Sequence, residues 1–402
     1  MESTPQPKQY PVKTHGDLVS PCWIQTHLEG SDCEYLINYN EGGLCPVVMD
    51  DVLSGSDLIH GEKPCSFKIL GKLGWGSYSN VWLGREITSG KHLALKILRK
   101  EHSTLDNSEL SILRKLGKLE VAFFHTHVPT QNRFLCLGLK PLGCTLRERV
   151  NAKVHAPSDL SSLTTFVKTL LMKVLDFHEK GVCHGDISPN NISFGVLPEA
   201  LTEEGLRETF EEDLRSDVLL WGAENLDNPP PRPANLPEYV VCRYGTPLKA
   251  DEEDMSKVEI IDFGKSLNKG FETRSKTNVL GTHNYCAPEL DRDGANTTTA
   301  KSDLWSLGCV FYYAVKYKHL FHDDDDLERY LTETHEAQVS FIHHQLSGPF
   351  LNDIPEYLYW YAELIHSLVR VDPKERDPEK AKENLENLEA WSMYYEQQES
   401  VE

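Results

Sequence analysis

The sequence predicts an α+β protein with two lobes, in which a small β-rich lobe precedes a larger and mainly helical one. Three observations support this order. Short apolar runs with strand character occupy residues 67–98. Apolar residues at helical spacing dominate residues 160–181. A polar, acidic and proline-rich stretch at 195–257 then interrupts the helical part, and its composition favours an exposed insert over a core segment.

In the small lobe, two predicted strands flank a glycine turn. The strands are Phe67–Leu70 and Val81–Leu83, and the turn is Gly74-Trp75-Gly76. A third strand, His92–Leu98, alternates in character. Asn107–Lys118 then carries three leucines, each three residues after the last, a spacing that predicts a helix.

The larger lobe begins with a predicted long helix that ends at Gly181, a residue suited to a helix C-cap. Its wide apolar stripe consists of Leu163, Phe166, Val167, Leu170, Leu171, Val174 and Leu175. A stripe of this width indicates that the helix is buried along most of its length.

The composition of the 402-residue chain excludes several functional classes. Its ten cysteines lack paired C-x-x-C spacing, which argues against a zinc ribbon or a disulfide framework and favours reduced thiols. Met1–Ser20 is polar, unlike a signal peptide, and no apolar run approaches the ~18 residues of a membrane span. The net charge of -21 argues against nucleic acid as a direct partner and is compatible with a basic one, although solubility explains it equally well.

The most informative segment is His184–Asn191, which reads H-G-D-I-S-P-N-N and has the spacing H-x-D-x-x-x-x-N. Phosphoryl transfer requires an aligned hydroxyl, an aligned phosphate and cations that hold the charge. Asp186 would orient the attacking hydroxyl and accept its proton, and Asn191 would hold a metal ion. Small-molecule kinases share this loop with protein kinases. The motifs that accompany it therefore decide which of these two classes the chain fits.

Several motifs accompany the loop in the chain. Gly74-x-Gly76 lies between two strands, where glycine lets the backbone approach a phosphate closely. Lys96 follows on the next strand between apolar residues, and Glu109 lies early in the next helix, where it can pair with Lys96. Asp262 begins a D-F-G segment after an apolar strand and is suited to bind Mg²⁺.

Over residues 67–391 the chain resembles the eukaryotic protein-kinase superfamily. Residues 281–289 have the form of the end of an activation segment, and 302–308 that of the start of a buried central helix. Arg376 is placed to pair with Glu289. Small-molecule kinases lack this activation segment, so the resemblance excludes them.

Within that superfamily the chain resembles a divergent, fungal-type SR-protein kinase (serine/arginine-rich protein kinase). Trp75 between the glycines, Ser79 in place of a third glycine and the Val-Trp-Leu that follows are similar to the glycine loop of that family. The leader at Tyr39–Val47 and the insert at 195–257 are similar as well.

The resemblance implies the two-lobed protein-kinase fold, with an N-lobe, a C-lobe and an insert that splits the C-lobe. The expected organisation is a flexible arm at 1–32, a leader packed on the N-lobe at 33–66, the N-lobe at 67–139, the C-lobe at 140–392 with its spacer insert at 195–257, and a tail at 393–402.

The resemblance also implies ATP-dependent serine/threonine protein kinase activity, with Mg²⁺ as cofactor, in which the γ-phosphate of MgATP passes to protein hydroxyls. The implied catalytic residues are Asp186, Lys96, Glu109 and Thr282. The implied ATP-binding residues are Leu73, Gly74, Gly76, Ser79, Val81, Ala94, Lys96 and Leu142. The implied metal ligands are Asn191 and Asp262.

One position departs from the pattern with consequences for the rate. Ser188 stands where these kinases carry a lysine whose charge stabilises the transferring phosphoryl group. Loss of one such contact typically lowers a rate by about 10² to 10³. Two alternatives stay open: a slow or cation-substituted kinase, and a pseudokinase that serves as a nucleotide-binding scaffold. Lys265 follows the D-F-G segment closely, but sequence spacing does not show whether it replaces the missing lysine.

The expected partner is a protein substrate, with Arg/Ser-rich basic proteins as the class implied by the resemblance. The segment around Tyr285 departs from the form of that family, which leaves the preference open. The acidic run Asp323–Asp326 could dock a basic substrate, although such a run is usually a solvated loop. We expect a monomer without a membrane or nucleic-acid partner, in the cytoplasm, the nucleus or both.

Overall fold

The computed structural model describes residues 23–25, 33–153, 159–210, 214–221, 233–242, 248–251, 254–268, 282–291, 298–346 and 355–399. The arm predicted at 1–32 lies outside the described residues apart from 23–25, as do the proline-rich residues 228–232 and residues 400–402 of the tail.

The described residues form two compact units. The first takes the chain as far as Leu110, together with Gly117–Pro141 and Pro198–Leu248, and the second takes Ser111–Leu116, Leu142–Leu197 and the residues from Lys249 onward. The first unit holds a six-stranded β-sheet and the second is mainly helical. The predicted α+β fold, with a β-rich N-lobe and a helical C-lobe, is confirmed.

The elements follow one another in the predicted order of strands and then helices. The first strands are β1 (Trp23–Gln25), β2 (Val52–Ser56), β3 (Pro64–Trp75), β4 (Ser79–Glu86) and β5 (His92–Leu98), followed by α1 (Ser108–Lys115), β6 (Val121–His127) and β7 (Asn132–Leu139). Next come α2 (Leu146–Asn151), α3 (Leu160–Glu179), β8 (Val182–Cys183) and β9 (Ile192–Ser193).

The insert and the helical part supply the remaining elements. The insert contains α4 (Glu203–Phe210), β10 (Leu214–Asp217), β11 (Leu219–Trp221) and β12 (Tyr239–Cys242). The rest are β13 (Glu259–Ile260), β14 (Leu267–Asn268), α5 (Pro288–Asp291), α6 (Ala300–Lys316), α7 (Asp324–Thr332), α8 (His335–Leu346), α9 (Pro355–Leu368) and α10 (Pro378–Glu399). Among the described residues, no helix combines the length and the apolar composition that crossing a bilayer requires.

The sheet of the first unit is antiparallel and runs in the order β2-β3-β4-β5-β7-β6. Trp82 on β4 lies opposite Leu95 on β5, whereas Val81 lies opposite Lys96. Because successive side chains of a strand point to opposite faces, these two pairs belong to different faces. Trp82 and Leu95 lie in the main apolar cluster of the unit, so we name this the core face and the other the Lys96 face.

The leader and part of the insert pack on the core face. Cys45 and Val47 of the leader and Val241 of β12 belong to the same apolar cluster as Trp82. The sequence predicted that the whole of 195–257 is an exposed insert of the C-lobe, whereas the structure groups 198–248 with the first unit. The physical reason is that this polar stretch contains the short strand β12, whose Val240 and Val241 are buried.

The stem of the insert stays with the second unit. Leu197 N donates a hydrogen bond to Lys249 O at 2.9 Å, and Asp251 N donates to Gly195 O at 2.7 Å. These hydrogen bonds join the two ends of the insert, so the chain leaves the second unit and returns to it at the same place.

The second unit is centred on the predicted helices α3 and α6. All seven apolar residues predicted for the stripe of α3 are buried. Helix α6 begins with a capping box at Thr299, and Asp303 and Trp305 in its first turns are almost fully buried. Arg376 forms a bidentate pair with Glu289, at 2.6 and 2.8 Å, as the sequence predicted.

Candidate active site

Lys96 and Glu109 form an ion pair in the first unit. The Nζ atom of Lys96 lies 2.6 Å from Oε1 of Glu109, and the two side chains are 10% and 6% exposed. The side chain of Asn107 accepts a hydrogen bond from Leu110 N at 3.0 Å, which fixes the start of α1 and places Glu109 in its first turn. The pairing predicted for these two residues is present.

The glycine turn offers room beside its backbone. A Cβ atom added to Gly74 or Gly76 would meet no heavy atom within 4 Å. Gly76 N donates to Ser79 O at 2.9 Å, which closes the turn at the start of β4, and Ser79 is buried. Neither glycine has a positive φ, so space for another molecule explains them better than backbone conformation does.

The other residues predicted to bind ATP are divided between the units. Val81 and Ala94 lie on the Lys96 face, where Val81 is half-buried and Ala94 is buried. Leu73 is half-buried at a register shift of the β3–β4 pair. Leu142 is half-buried in the segment after β7 and belongs to the second unit.

In the second unit, Asp303 of α6 holds the backbone of the catalytic loop. His184 N donates to Asp303 Oδ2 at 2.7 Å, and Gly185 N donates to Oδ1 at 2.8 Å. His178 of α3 places its Nε2 atom 3.0 Å from Oδ2. The carboxylate, only 1% exposed, therefore ties the loop to both central helices.

His184 fixes the next turn of the loop as a neutral ring. Burial lowers the pKa of His184 below its usual value. The ring lies with Nε2 3.0 Å from Ile261 O, and its Nδ1 accepts from Asp186 N at 3.2 Å. Phe263, also buried, packs edge-on against this ring, with the centroids 4.9 Å apart. The loop and the D-F-G segment are thus one packed structure.

Asp186 has a donor at each carboxylate oxygen. Thr282 Oγ1 donates to Oδ1 at 3.0 Å, and Lys265 Nζ lies 2.9 Å from Oδ2. Asn191 Nδ2 donates to the main-chain oxygen of Asp186 at 2.8 Å. Two polar contacts therefore orient the carboxylate, and a third ties its backbone to the predicted metal ligand.

The residues predicted to bind Mg²⁺ supply suitable oxygen donors. Ile261 N donates to Asn191 O at 2.9 Å, which holds Asp262 beside the loop that carries Asn191. Asp262 has a positive φ of 62°, a conformation that Asp tolerates better than most residues. Among the described residues, no cluster of three or more His, Cys, Asp or Glu forms a complete metal cage. One carboxylate and one amide oxygen fit Mg²⁺ bound largely through phosphates and water.

Ser188 cannot replace the lysine of the pattern. The residue is 1% exposed, and its hydroxyl has no hydrogen-bond partner among the described residues. Its backbone is extended, with φ −155° and ψ 164°, and leads into the 3-10 turn Pro189–Asn191. The position therefore presents neither a charge nor a directed donor.

Sequence reasoning missed the roles of two residues here. Asp303 appeared only as part of a buried helix, although a buried acid in an apolar run is a signal that it is hydrogen-bonded. The contact of Lys265 with Asp186 was not predicted. The signal that could have indicated it was the position of Lys265 next to the D-F-G segment, in a chain that lacks a lysine at position 188. The structure brings Asp186, Asn191, Asp262 and Thr282 together in the second unit, and Lys96, Glu109 and the glycine turn in the first.

The chain belongs to the protein kinase domain family. The model of this family matches residues 67–195 and 249–385, which is more than half of the chain. The unmatched residues between these two segments fall within the insert. The predicted superfamily is confirmed.

Curated proteins that are similar to the chain also carry the names of protein kinases, at 23–24% identity. The chain is 23% identical over 297 residues to "Serine/threonine-protein kinase SRPK" of Physarum polycephalum, covering 70% of this chain and 65% of the relative. It is 24% identical over 270 residues to "Serine/threonine-protein kinase AFC3" of Arabidopsis thaliana, covering 65% and 57%. It is 23% identical over 305 residues to "3-phosphoinositide-dependent protein kinase 1" of Caenorhabditis elegans, covering 68% and 41%. The chain spans less than two thirds of the length of each.

Proposed function

We propose that this protein is an ATP-dependent serine/threonine protein kinase that transfers the γ-phosphate of MgATP to protein hydroxyls. The observation that carries the proposal is the Asp186 carboxylate, held at one oxygen by Thr282 and at the other by Lys265. A carboxylate held in this way suits a base that must meet a substrate hydroxyl in one orientation.

Each residue of the site has a role in this proposal. Lys96, held by Glu109, grips the phosphates of ATP, and Gly74 and Gly76 admit them close to the backbone. Asn191 and Asp262 would hold Mg²⁺, which would neutralise charge on the phosphates. Asp186 directs the hydroxyl and accepts its proton.

The test is a phosphorylation assay with myelin basic protein and an Arg-Ser peptide. We expect the wild type to transfer phosphate and Asp186→Ala to lose at least 10² in kcat, since a general base contributes about 10² to 10⁴. Asp176→Ala is the matched control, because Asp176 is a half-exposed carboxylate of α3 that pairs only with Lys180 in the described structure. If neither the wild type nor Asp186→Ala transfers phosphate although both bind ATP, the proposal is contradicted.

A nucleotide-binding scaffold is the second candidate, and Ser188 is the observation that favours it. A buried hydroxyl, with no hydrogen-bond partner in the part of the chain that the structure describes, replaces the cation of the catalytic loop. Retention of Lys96, Glu109, Asp186, Asn191 and Asp262 favours the enzyme, since a scaffold need not keep all five. ATP binding without transfer, in the assay above, would select the scaffold.

We further propose a basic protein substrate, docked at the start of α7. Asp323 caps this helix, its side chain accepting from Asp326 N at 2.9 Å, so part of the acidic run has a structural role. Asp324 and Asp325 are exposed, with 80% of the Asp324 side chain in solvent. These two charges can therefore meet a basic partner without unfolding the helix.

Charge reversal at these two positions tests the docking proposal. Asp324→Lys/Asp325→Lys should raise the KM for an Arg-rich substrate several-fold at low salt, with kcat unchanged, because exposed charges act mainly on association. The control is Glu383→Lys/Glu386→Lys, two exposed acids of α10. An equal KM for both double variants would end the docking proposal. We also propose that the protein acts in the cytoplasm, the nucleus or both, which imaging of a tagged chain would test.

A further inference from the structure

A lysine from outside the catalytic loop contacts its aspartate. Lys265, the residue after the D-F-G segment, places Nζ 2.9 Å from Asp186 Oδ2. Its side chain is 34% exposed and that of Asp186 is 10% exposed, so the contact lies at the edge of the site. A cation here can hold the carboxylate and still reach a molecule that binds beside it.

The backbone of Lys265 is anchored to the catalytic loop. Ser266 Oγ donates to His184 O at 2.9 Å, and Leu267 pairs with Cys183 across β14 and β8. The position of Lys265 therefore follows from the packing of the two segments.

Gly185 explains how the two segments come so close. Its φ is +80°, and a Cβ atom at this position would lie 2.9 Å from the main-chain oxygen of Lys265. A larger residue at 185 would push the segment carrying Lys265 away from Asp186. Glycine at 185 therefore permits the contact between Lys265 and Asp186, in a chain that has serine and not lysine at 188.

We propose that Lys265 supplies the cation that position 188 lacks, and that it acts as a positioning residue for Asp186. The inference rests on the proposed kinase function. In that reaction the substrate hydroxyl oxygen bonds to the γ-phosphorus while the bond from this phosphorus to its bridging oxygen breaks. ADP leaves with the electron pair of the broken bond, and the hydroxyl proton passes to Asp186. The ammonium of Lys265 holds Asp186 in place and offsets negative charge beside the transferring group.

The first experiment compares a neutral and a charged replacement. Lys265→Gln should lower kcat by about 10² to 10³, as loss of one preorganised charge contact does, whereas Lys265→Arg should keep kcat within about tenfold of wild type. The control is Lys173→Gln. Lys173 lies in the same unit, pairs with Glu259 at 2.8 Å and is 27% exposed, close to the exposure of Lys265. Thermal unfolding of each variant shows that the comparison is made on folded protein.

A second readout separates charge stabilisation from a merely structural role. Binding of ADP alone should be unchanged in Lys265→Gln, whereas binding of ADP with aluminium fluoride, a mimic of the transferring phosphoryl group, should weaken about 10²-fold. A structural role would instead weaken both complexes equally or lower the unfolding temperature.

A third variant restores the charge at its usual place. Ser188→Lys, added to Lys265→Gln, should recover at least tenfold in kcat, because a lysine at 188 would carry the missing charge. Rescue at a different position cannot arise from repair of the Lys265 packing.

The outcomes distinguish this inference from the proposed function. Turnover of Lys265→Gln within about threefold of wild type, or a loss matched by Lys173→Gln, would overturn the inference alone. Wild-type turnover no higher than that of Asp186→Ala would overturn the kinase proposal and this inference together.

Discussion

The two faces of the six-stranded sheet each carry a lysine–carboxylate pair, and the pairs differ in their surroundings. On the core face, Lys72 pairs with Glu34 of the leader, and both side chains are at most 1% exposed. On the Lys96 face, Lys96 pairs with Glu109 of α1, with 10% and 6% exposed. The first pair is closed within the protein and the second lies beside the glycine turn.

The hydrogen bonds around the Lys72–Glu34 pair indicate that this pair stabilises the fold. The hydroxyl of Tyr39 and the Nδ2 of Asn80 donate to Glu34, and Lys72 also donates to Val241 O at 3.3 Å. Burial raises the pKa of the Tyr39 hydroxyl, and Glu34 beside it raises the pKa further, so Tyr39 stays neutral and can donate. The Lys72–Glu34 pair therefore connects the leader, the sheet and the insert. A buried lysine in this sheet is thus not by itself evidence of a catalytic role.

Removing Glu34 should give the largest effect. Glu34→Ala leaves the ammonium of Lys72 buried without a carboxylate, and breaking a buried pair in this way costs about 3–5 kcal/mol. Urea denaturation followed by fluorescence measures the loss. Glu120→Ala is the control, because Glu120 pairs with Lys91 in a half-exposed setting, where a pair is worth about 0–1 kcal/mol. A loss below about 1 kcal/mol for Glu34→Ala would show that the core-face pair does not fasten the leader.

The second prediction exchanges lysine for arginine on each face. Lys96→Arg should keep the pair with Glu109 but misplace the contact with phosphate, so kcat should fall by about 10² to 10³, or about 2.7–4 kcal/mol in the barrier. Lys72→Arg should lower stability by about 1–3 kcal/mol through overpacking while kcat of the folded enzyme stays within about threefold. Steady-state kinetics and urea denaturation of both variants test this. Equal losses of kcat would mean that the two faces are not functionally distinct.

The third prediction concerns the contact between β3 and the insert. A Cβ atom at Gly71 would come within 2.4 Å of the Phe210 ring of α4, so Gly71→Ala should cost about 1–3 kcal/mol in the free energy of unfolding. Phe210→Ala in the same chain should relieve the clash, with a coupling energy of about 0.5–3 kcal/mol in a double-mutant cycle. Additive effects would show that the insert does not press on the sheet at Gly71.

The sequence predicted the parts of the site that follow one another closely in the chain. The catalytic loop, the D-F-G segment and the lysine strand each carry their chemistry within a few residues, so spacing alone indicated them. The pairing of Lys72 with Glu34 could not be predicted, because it depends on how a leader with little periodicity packs on the sheet. The burial of β12 was missed for a similar reason: four residues of strand in a polar insert are too short to show a pattern.

The smallest predicted effect concerns the glycine turn. Gly76→Ala should change the free energy of unfolding by less than about 0.5 kcal/mol, as for other exposed surface substitutions, because the added Cβ meets no heavy atom within 4 Å. If a backbone N–H of the turn donates to a phosphate of ATP, the methyl group should weaken one hydrogen bond worth about 1 kcal/mol and raise the KM for ATP about fivefold. The KM for the protein substrate, measured in the same assay, should not change. An unchanged KM for ATP would mean that the space beside the turn is not where phosphate binds.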